Sequence, residues 1–470
     1  MPDSALLARA DEVSRRVVKA SVEDGRPLLR VRAPPGAGKT RLTRQVMQAA
    51  IDANLPTLVV VQTNAQAIDL VRGMATLLAT AGHRGRFGYW PSQEACQEYA
   101  SEIDPLRTHP NVVVCRSTAE ARSGPDVLVA VARKWAWHAC ARIPDQLLER
   151  DFDLGVIDEA YQMQTGELLR FGARADRLLM IGDPGQLEPF TTIETARWTG
   201  LDASAVAPAP RSVEARRGHE IQGFDLPASL RLDTRAVRVV QACFYPNLSF
   251  DAVALDGDRT LTLSRPGAGR RGPADRDIDA VLDRAASTGW GLLELPRAVT
   301  VRDDPEVAAA IAAVVHRLLE REPRVRRDYP AELRHGAPLR PDQIAVGTAH
   351  RDQRARVREA IDALGPQYQA VVVDTANRIQ GREFDVTIVW HPLTGRVDAT
   401  AFHLDTGRLC VLASRHRHAC ILVTRHGLRD LLEEHLPSGL RPRRATEDRE
   451  HDGWEAHRRM LEMLAVHSIP

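Results

Sequence analysis

Between Leu28 and Asp183 the chain alternates short β-branched runs with helical patterns. Parallel strands need a crossover between them, and a helix is the usual crossover, so this alternation constrains the fold to a parallel sheet covered by helices. The strands read LLRVRA from Leu28, TLVVVQ from Thr57, DVLVAV from Asp126, FDLGVID from Phe152 and RLLMIGD from Arg177. His83 to Pro125 is polar, holds Trp90 with several Gly and Pro residues, and reads as an insertion. Thr191 to Phe224, rich in Ala, Pro and Arg with little apolar period, reads as a connection between two domains. The alternation then resumes, with strands LLELP from Leu292, QIAVGTA from Gln343, YQAVVVD from Tyr368, DVTIVW from Asp385 and ACILVT from Ala419. The expectation is an α/β chain of two similar domains, 1–190 and 225–436, joined by 191–224. A Gly, Pro and Arg rich stretch at 264–276 reads as a mobile loop, and 437–470 as a charged tail with an amphipathic stretch near Trp454 to Leu464.

A length of 470 residues fits two or three domains at roughly 150 residues each. Hydrophobic residues at 44% and charged residues at 27% are ordinary globular values, which exclude a mostly disordered chain. The net charge of +1 offers no global attraction to nucleic acid or membrane, so any such site is a local patch. Of the 63 Lys and Arg residues only Lys19, Lys39 and Lys134 are lysine, which makes a lysine inside a motif informative. The six cysteines lie far apart without a C-x-x-C pair, against a zinc knuckle or a disulfide framework. The N-terminus has no apolar signal core, and no stretch approaches the roughly 20 apolar residues that span a bilayer, which predicts a soluble, cytoplasmic protein with no membrane partner.

The chemistry concentrates at APPGAGKT, Ala33 to Thr40, directly after a strand and before a helical pattern. A loop without bulky side chains at Pro35, Gly36, Ala37 and Gly38 lets backbone N–H groups and a helix N-terminus converge on phosphate. Lys39 would reach the β and γ phosphates, and the Thr40 hydroxyl would hold Mg2+. Ala33 stands where the general pattern has glycine. FDLGVIDEAYQ supplies the carboxylates that such a loop needs, Asp158 for Mg2+ and Glu159 to orient and deprotonate the attacking water. An acidic pair after a strand is also what a helix N-terminus favours. In LLMIGDPGQLEPF, Gln186 would sense the γ-phosphate, while Gly182, Pro184 and Gly185 suit a tight turn.

APPGAGKT, VIDEAYQ and IGDPGQLEP, in this order and spacing, resemble motifs I, II and III of superfamily 1 helicases. PASLRLDTRAVRVVQACFY resembles motif IV, with Arg231 at the arginine position, and VDTANRIQGREFDVTIVW resembles motif V. GRLCVLASRHRHACILV resembles motif VI, with Arg415 as the finger-type arginine and Arg417 two residues on. Tyr161, Gln162 and the GREFD form are most similar to superfamily 1B, the branch with the nonsense-mediated-decay RNA helicase and its DNA-processing relatives. The resemblance spans Leu28 to Thr424.

It implies a P-loop NTPase of two tandem RecA-like parallel-sheet domains that binds ATP and Mg2+ between them and moves 5′ to 3′ on single-stranded DNA or RNA as a monomeric helicase. Arg231 and Arg415 would stabilise the charge developing on the γ-phosphate. Glu383, in Gly-Arg-Glu, would accept a hydrogen bond from the ribose or organise the cleft, with Gln380 beside it. VVVQTNAQAIDLV resembles motif Ia, so Thr63 and Asn64 would donate to backbone phosphates, a position that also suits helix capping. Lys134 follows the third strand, where the family contacts the nucleic acid, but the expected threonine is missing, and Trp135 or Trp137 would stack on a base or fill the core. Nothing in Asp11 to Pro27 supplies the family's adenine-reading glutamine motif, so base specificity stays open, and large inserted domains are lacking. Protein partners would use the tail or 83–125. Two alternatives remain: an NTPase that remodels protein–nucleic-acid complexes without strand separation, and a nucleotide-switched binding module, which has little need of Glu159.

Overall fold

The computed structural model describes all residues except 1–2, 143–146, 190–197, 199–200, 202, 266–272, 301–302, 330–332, 436–448 and 466–470. The first lobe is built on eight strands: β1 Leu28–Arg32, β2 Thr57–Val61, β3 Phe87–Tyr89, β4 Val112–Val114, β5 Val127–Val131, β6 Phe152–Ile157, β7 Ala175–Gly182 and β8 Gln222–Asp225. They lie in the order β4-β3-β5-β2-β6-β7-β1-β8, every pair parallel. β2 is buried along its whole length, as a β-branched run in the centre of a doubly covered sheet should be. Helices Lys39–Asp52 and Asn64–Thr80 cover one face with Leu42, Val46, Met47, Ile68, Val71 and Met74. The other face packs Trp90, Trp135, Phe152 and Phe171.

Two segments behave differently from the sequence expectation. Residues 83–125 do not leave the sheet; they supply β3 and β4 and extend it past β5. Strands of three residues, FGY and VVV, are too short to show a period, so the turn residues between them dominated the pattern. Likewise Gln222–Asp225, inside the stretch read as a connection, pairs parallel with β1, Val31 opposite Phe224. With one buried residue in four, this edge strand carries almost no hydrophobic signal. The chain therefore leaves the first sheet only after Asp225.

The second lobe contains β9 Ala228–Asp233, β10 Asp251–Ala254, β11 Arg259–Thr262, β12 Trp290–Leu295, β13 Arg324–Arg327, β14 Leu333–Pro338, β15 Ile344–Thr348, β16 Val372–Thr375, β17 Phe384–Trp390 and β18 His416–Arg425. Its main sheet has the order β12-β18-β17-β15-β16, again all parallel, flanked by the β9–β10 pair and the small antiparallel sheet β11-β13-β14. Two helix-covered parallel sheets in tandem, the first opening with strand, glycine loop and helix, make a mixed α/β, two-lobed RecA-like P-loop architecture. Of the stretch 264–276, residues 266–272 lie outside the described residues, and Pro273 onward begins a helix, Pro273–Thr288.

Two terminal helices tie the lobes and close their cores. Helix Ser4–Val18, capped by Asp3, buries Leu6 against Ala228 and Val253 of the second lobe. Val17 and Ala20, at its other end and just beyond, enter the core of the first lobe. Helix Arg449–Ala465 is not part of a solvated tail. Ala456, Met460 and Leu464 join the cluster of Leu232, Val240, Phe244 and Leu412, and His457 is fully buried. No described helix is long and apolar enough to cross a membrane. Met460→Ala should therefore destabilise the second lobe by about 2–5 kcal/mol through the cavity it leaves. Calorimetry would read this as an earlier unfolding transition, and an unchanged transition would show that the helix is peripheral.

Candidate active site

The P-loop follows from local geometry. Gly36 and Gly38 sit at φ +75° and +85°, in the left-handed region where glycine alone is free of strain. Gly38 caps helix Lys39–Asp52 without any side chain on the first-turn N–H groups, which leaves that turn open to an anion. Ala33, the departure from the general pattern, is fully buried and its N–H donates to Gly182 O at 2.9 Å, so its methyl belongs to the core and not to the loop mouth.

Three carboxylates face this loop from the ends of β6 and β7. Asp158 is buried, and burial followed by the neighbouring Glu159 raises its carboxyl to about 7, against the opposing pull of Lys39, the Glu159 N–H and the Thr43 hydroxyl. A buried carboxylate held so high is poised for a cation. Thr40, on the first helical turn, is exposed. Glu159 occupies the left-handed region at φ +53°, strain of the kind that collects at functional positions. Lys39 Nζ lies 3.7 Å from Glu159 Oε1 and 3.6 Å from Asp183 Oδ2. Sequence reasoning passed over Asp183. Its signal was available, since IGDPGQ ends an apolar strand in aspartate just as VIDEAYQ does.

The second lobe closes over the loop. Leu230 N donates to Gly36 O at 2.8 Å, and Ser229 Oγ to Pro35 O at 2.7 Å. A Cβ at Gly36 would stand 2.5 Å from the Arg231 Cβ and 2.8 Å from its backbone nitrogen. Arg231 Nε donates to Glu383 Oε1 at 2.7 Å and its Nη1 to Ser414 O at 3.2 Å. Arg417 Nη2 takes the other Glu383 oxygen at 2.6 Å. Burial alone would raise the Glu383 carboxyl, but the two guanidinium groups outweigh it and hold it near about 2. Arg415 is buried, donates through Nε to Val411 O at 3.3 Å, and has one terminal nitrogen, Nη2, without a hydrogen-bond partner among the described residues. Gln186 donates to Asp183 and accepts from Gln380 Nε2 at 3.3 Å, which joins the lobes. Lys39, Asp158, Glu159, Gln186, Arg231, Gln380, Glu383 and Arg415 thus share one cleft.

The residues expected to meet nucleic acid are placed less uniformly. Thr63 is the N-cap of helix Asn64–Thr80: its Oγ1 accepts from Gln66 N at 3.2 Å, and Gln66 Oε1 accepts from Thr63 N at 3.1 Å. Asn64 follows it at the carboxyl end of β2, partly exposed. Lys134 departs from the expectation. Its ammonium points inward, donating to Pro91 O and lying 4.5 Å from the Trp90 ring centre. Burial lowers it to about 8. The helix that carries it starts at Ala132 and turns its first face into the core, which takes the lysine with it. Trp135 is core as well, donating Nε1–H to Val59 O at 3.1 Å, whereas Trp137 is 62% exposed.

Residues 11–207 match a family model described as an AAA domain, and residues 302–427 match a second one of the same description. No curated protein sequence matches. Among solved structures the chain is similar to the DUF1998 helicase MrfA bound to DNA and AMPPNP, at 10% identity and a TM-score of 0.41, over 89% of this chain and 49% of that one. A nuclease-deletion mutant of the Type ISP restriction-modification enzyme LlaGI with a DNA substrate mimic gives 9% identity and 0.40, over 98% of this chain and 28% of that one. The helicase domain of Pyrococcus furiosus Hef gives 11% and 0.33, over 90% and 97%. The chain spans about half the length of the MrfA chain and just over a quarter of the LlaGI chain. Each lobe matches an AAA-domain model, in keeping with the P-loop NTPase fold described above.

Gly36→Ala should weaken nucleotide binding at least tenfold in a fluorescent-nucleotide titration, because the methyl meets the Arg231 backbone and glycine's φ is lost. Unchanged affinity would show that the second lobe does not need to approach the loop. Lys134→Met should leave the affinity for a labelled single strand within about twofold, as expected of an ammonium already committed to Pro91 and Trp90. A tenfold loss in anisotropy titrations would return Lys134 to the strand.

Proposed function

We propose that this chain is an ATP- and Mg2+-dependent motor of the superfamily 1B helicase type that moves 5′ to 3′ along single-stranded DNA or RNA. The observation that carries the reading is the seat of Arg231 against Gly36, with Arg415 and the Gln186–Gln380 pair beside it. A nucleotide on Lys39 would then lie between two bodies, each holding part of the chemistry. A binding module has no use for such a division.

In this reading the N–H groups from Pro35 to Thr40 cradle the phosphates, and Lys39 leaves Glu159 and Asp183 for the β and γ oxygens. The Thr40 hydroxyl and Asp158 would hold Mg2+. Bound there, Mg2+ supplies neutralisation of charge on the phosphate oxygens. Glu159 orients the attacking water and takes its proton. Gln186 senses the γ-phosphate and passes its presence to Gln380. Arg231 and Arg415 stabilise the charge that develops on the γ-phosphate, an effect worth on the order of 10³-fold in rate or more. Binding of ATP closes the cleft and hydrolysis releases it, which moves one lobe against the other. Thr63 and Asn64, at a strand end beside a helix N-terminus, offer N–H and amide donors to backbone phosphates.

Purified protein should hydrolyse ATP slowly alone and at least tenfold faster with a single strand. The reading fails if neither single-stranded DNA nor RNA stimulates turnover. Glu159→Gln should bind ATP within a few-fold of the parent and lose at least 100-fold in kcat, and retained hydrolysis would remove Glu159 from its role. Duplexes with 5′ and 3′ overhangs, in DNA and in RNA, test polarity and substrate together. Stimulated turnover without strand separation on any of them would favour remodelling of protein–nucleic-acid complexes.

A further inference from the structure

Asp183 carries more connections than a turn residue needs. Its carboxylate ends β7 and is fully buried, 3.6 Å from Lys39 Nζ. It accepts from Gly185 N at 3.1 Å and from the Gln186 amide. Its remaining partner comes from the other lobe: the Tyr245 hydroxyl donates to Oδ1 at 2.7 Å. Tyr245 directly follows helix Thr234–Phe244, is buried, and its oxygen also lies 3.3 Å from Cys410 Sγ in helix Thr406–Ala413. Arg415 stands two residues beyond the end of that helix and is tied back to it through Val411 O.

The packing leaves this junction no slack. A Cβ on Gly185 would fall 2.6 Å from the Tyr245 ring, and one on Gly407 would fall 2.6 Å from the Gln186 carbonyl. The turn of the first lobe and the helix of the second therefore meet backbone to side chain, with hydrogen bonds across the seam. The charges point the same way. Lys39 is the cation that pairs with Asp183, and among the described residues the buried Arg415 Nη2 has no hydrogen-bond partner. If phosphate draws Lys39 away, the buried Asp183 carboxylate loses its ion-pair partner, and the donor that reaches it from the second lobe is the Tyr245 hydroxyl.

Resting on the motor reading above, we propose that Tyr245 is a positioning residue that transmits nucleotide occupancy from Asp183 to helix Thr406–Ala413 and so sets Arg415 for hydrolysis. Its hydroxyl fixes the distance between the strand end that faces Lys39 and the helix that presents the arginine. Tyr245 touches neither phosphate nor metal in this scheme, so losing its hydroxyl should cost coupling and not binding.

The test compares the full chain with Tyr245→Phe, which keeps the ring under Gly185 and removes only the donor. ATP KM should stay within about twofold, while kcat falls at least tenfold both with and without saturating single strand. In small-angle scattering a non-hydrolysable ATP analogue should compact the parent and leave the variant unchanged. Gly185→Ala, which presses the ring from the other side, should reproduce the loss if Tyr245→Phe proves too unstable to assay. The proposal is overturned if Tyr245→Phe is stimulated and compacts like the parent, or if the parent does not compact. A parent that compacts on the analogue but is not stimulated by any strand sinks the motor reading and leaves Tyr245 to be judged on compaction alone.

Discussion

The structure depends on a backbone contact between lobes: the second-lobe strand Ala228–Asp233 hydrogen-bonded to the glycine loop of the first. Leu230 N on Gly36 O and Ser229 Oγ on Pro35 O fix the loop from outside, at the two residues that carry no usable side chain. Glycine at 36 is needed twice over, for its positive φ and because the Arg231 backbone occupies the space of a Cβ. A loop that must stay bare for phosphate is thereby made a docking surface for the second lobe. The N-terminal helix strengthens the same seam, with Leu6 in the second lobe and Val17 in the first.

Electrostatics divides the cleft into two halves. Asp158, Glu159 and Asp183 of the first lobe stand around the single Lys39, and burial together with the neighbouring Glu159 raises the Asp158 carboxyl. The second lobe offers the opposite imbalance, with Arg231 and Arg417 on the single carboxylate of Glu383 and Arg415 without an acidic hydrogen-bond partner. Desolvated excess charge is expensive when unmatched, so each half is completed by something the other half or a ligand brings. A nucleotide with its metal carries both signs and suits this division.

What was legible in the sequence was what local chemistry dictates. Glycines at fixed spacing before Lys39, carboxylates ending apolar strands and the long runs of β2, β6 and β7 are set by bonds within a few residues, so they appear in the string. Lost were features decided by distant partners. β3 and β4 are strands because β5 offers an open edge, and Gln222–Asp225 is one because β1 does, while their own composition is neutral. Asp183 and Tyr245 lie 62 residues apart and acquire meaning only across the seam. Lys134 is a case of the same kind, a cation after a strand end that suggested a phosphate contact and whose ammonium lies over the Trp90 ring.

The scarcity of lysine has a physical counterpart in how the two cations tolerate burial. Burial lowers the Lys134 ammonium to about 8, so a modest rise above neutral pH removes its charge. Arg415 is buried more completely, and burial with the repulsion of Arg231 lowers it only to about 10, so it stays charged. Arg327 against Asp385 and Arg425 against Asp304 show the same tolerance for guanidinium in the core of the second lobe. Because the guanidinium spreads its charge and is weakly hydrated, it can be delivered to a dry cleft intact, whereas an ammonium there would tend to shed its proton. A lobe whose proposed task is to bring positive charge to a water-excluded phosphate is therefore better built from arginine, while Lys39 of the first lobe stands beside two carboxylates.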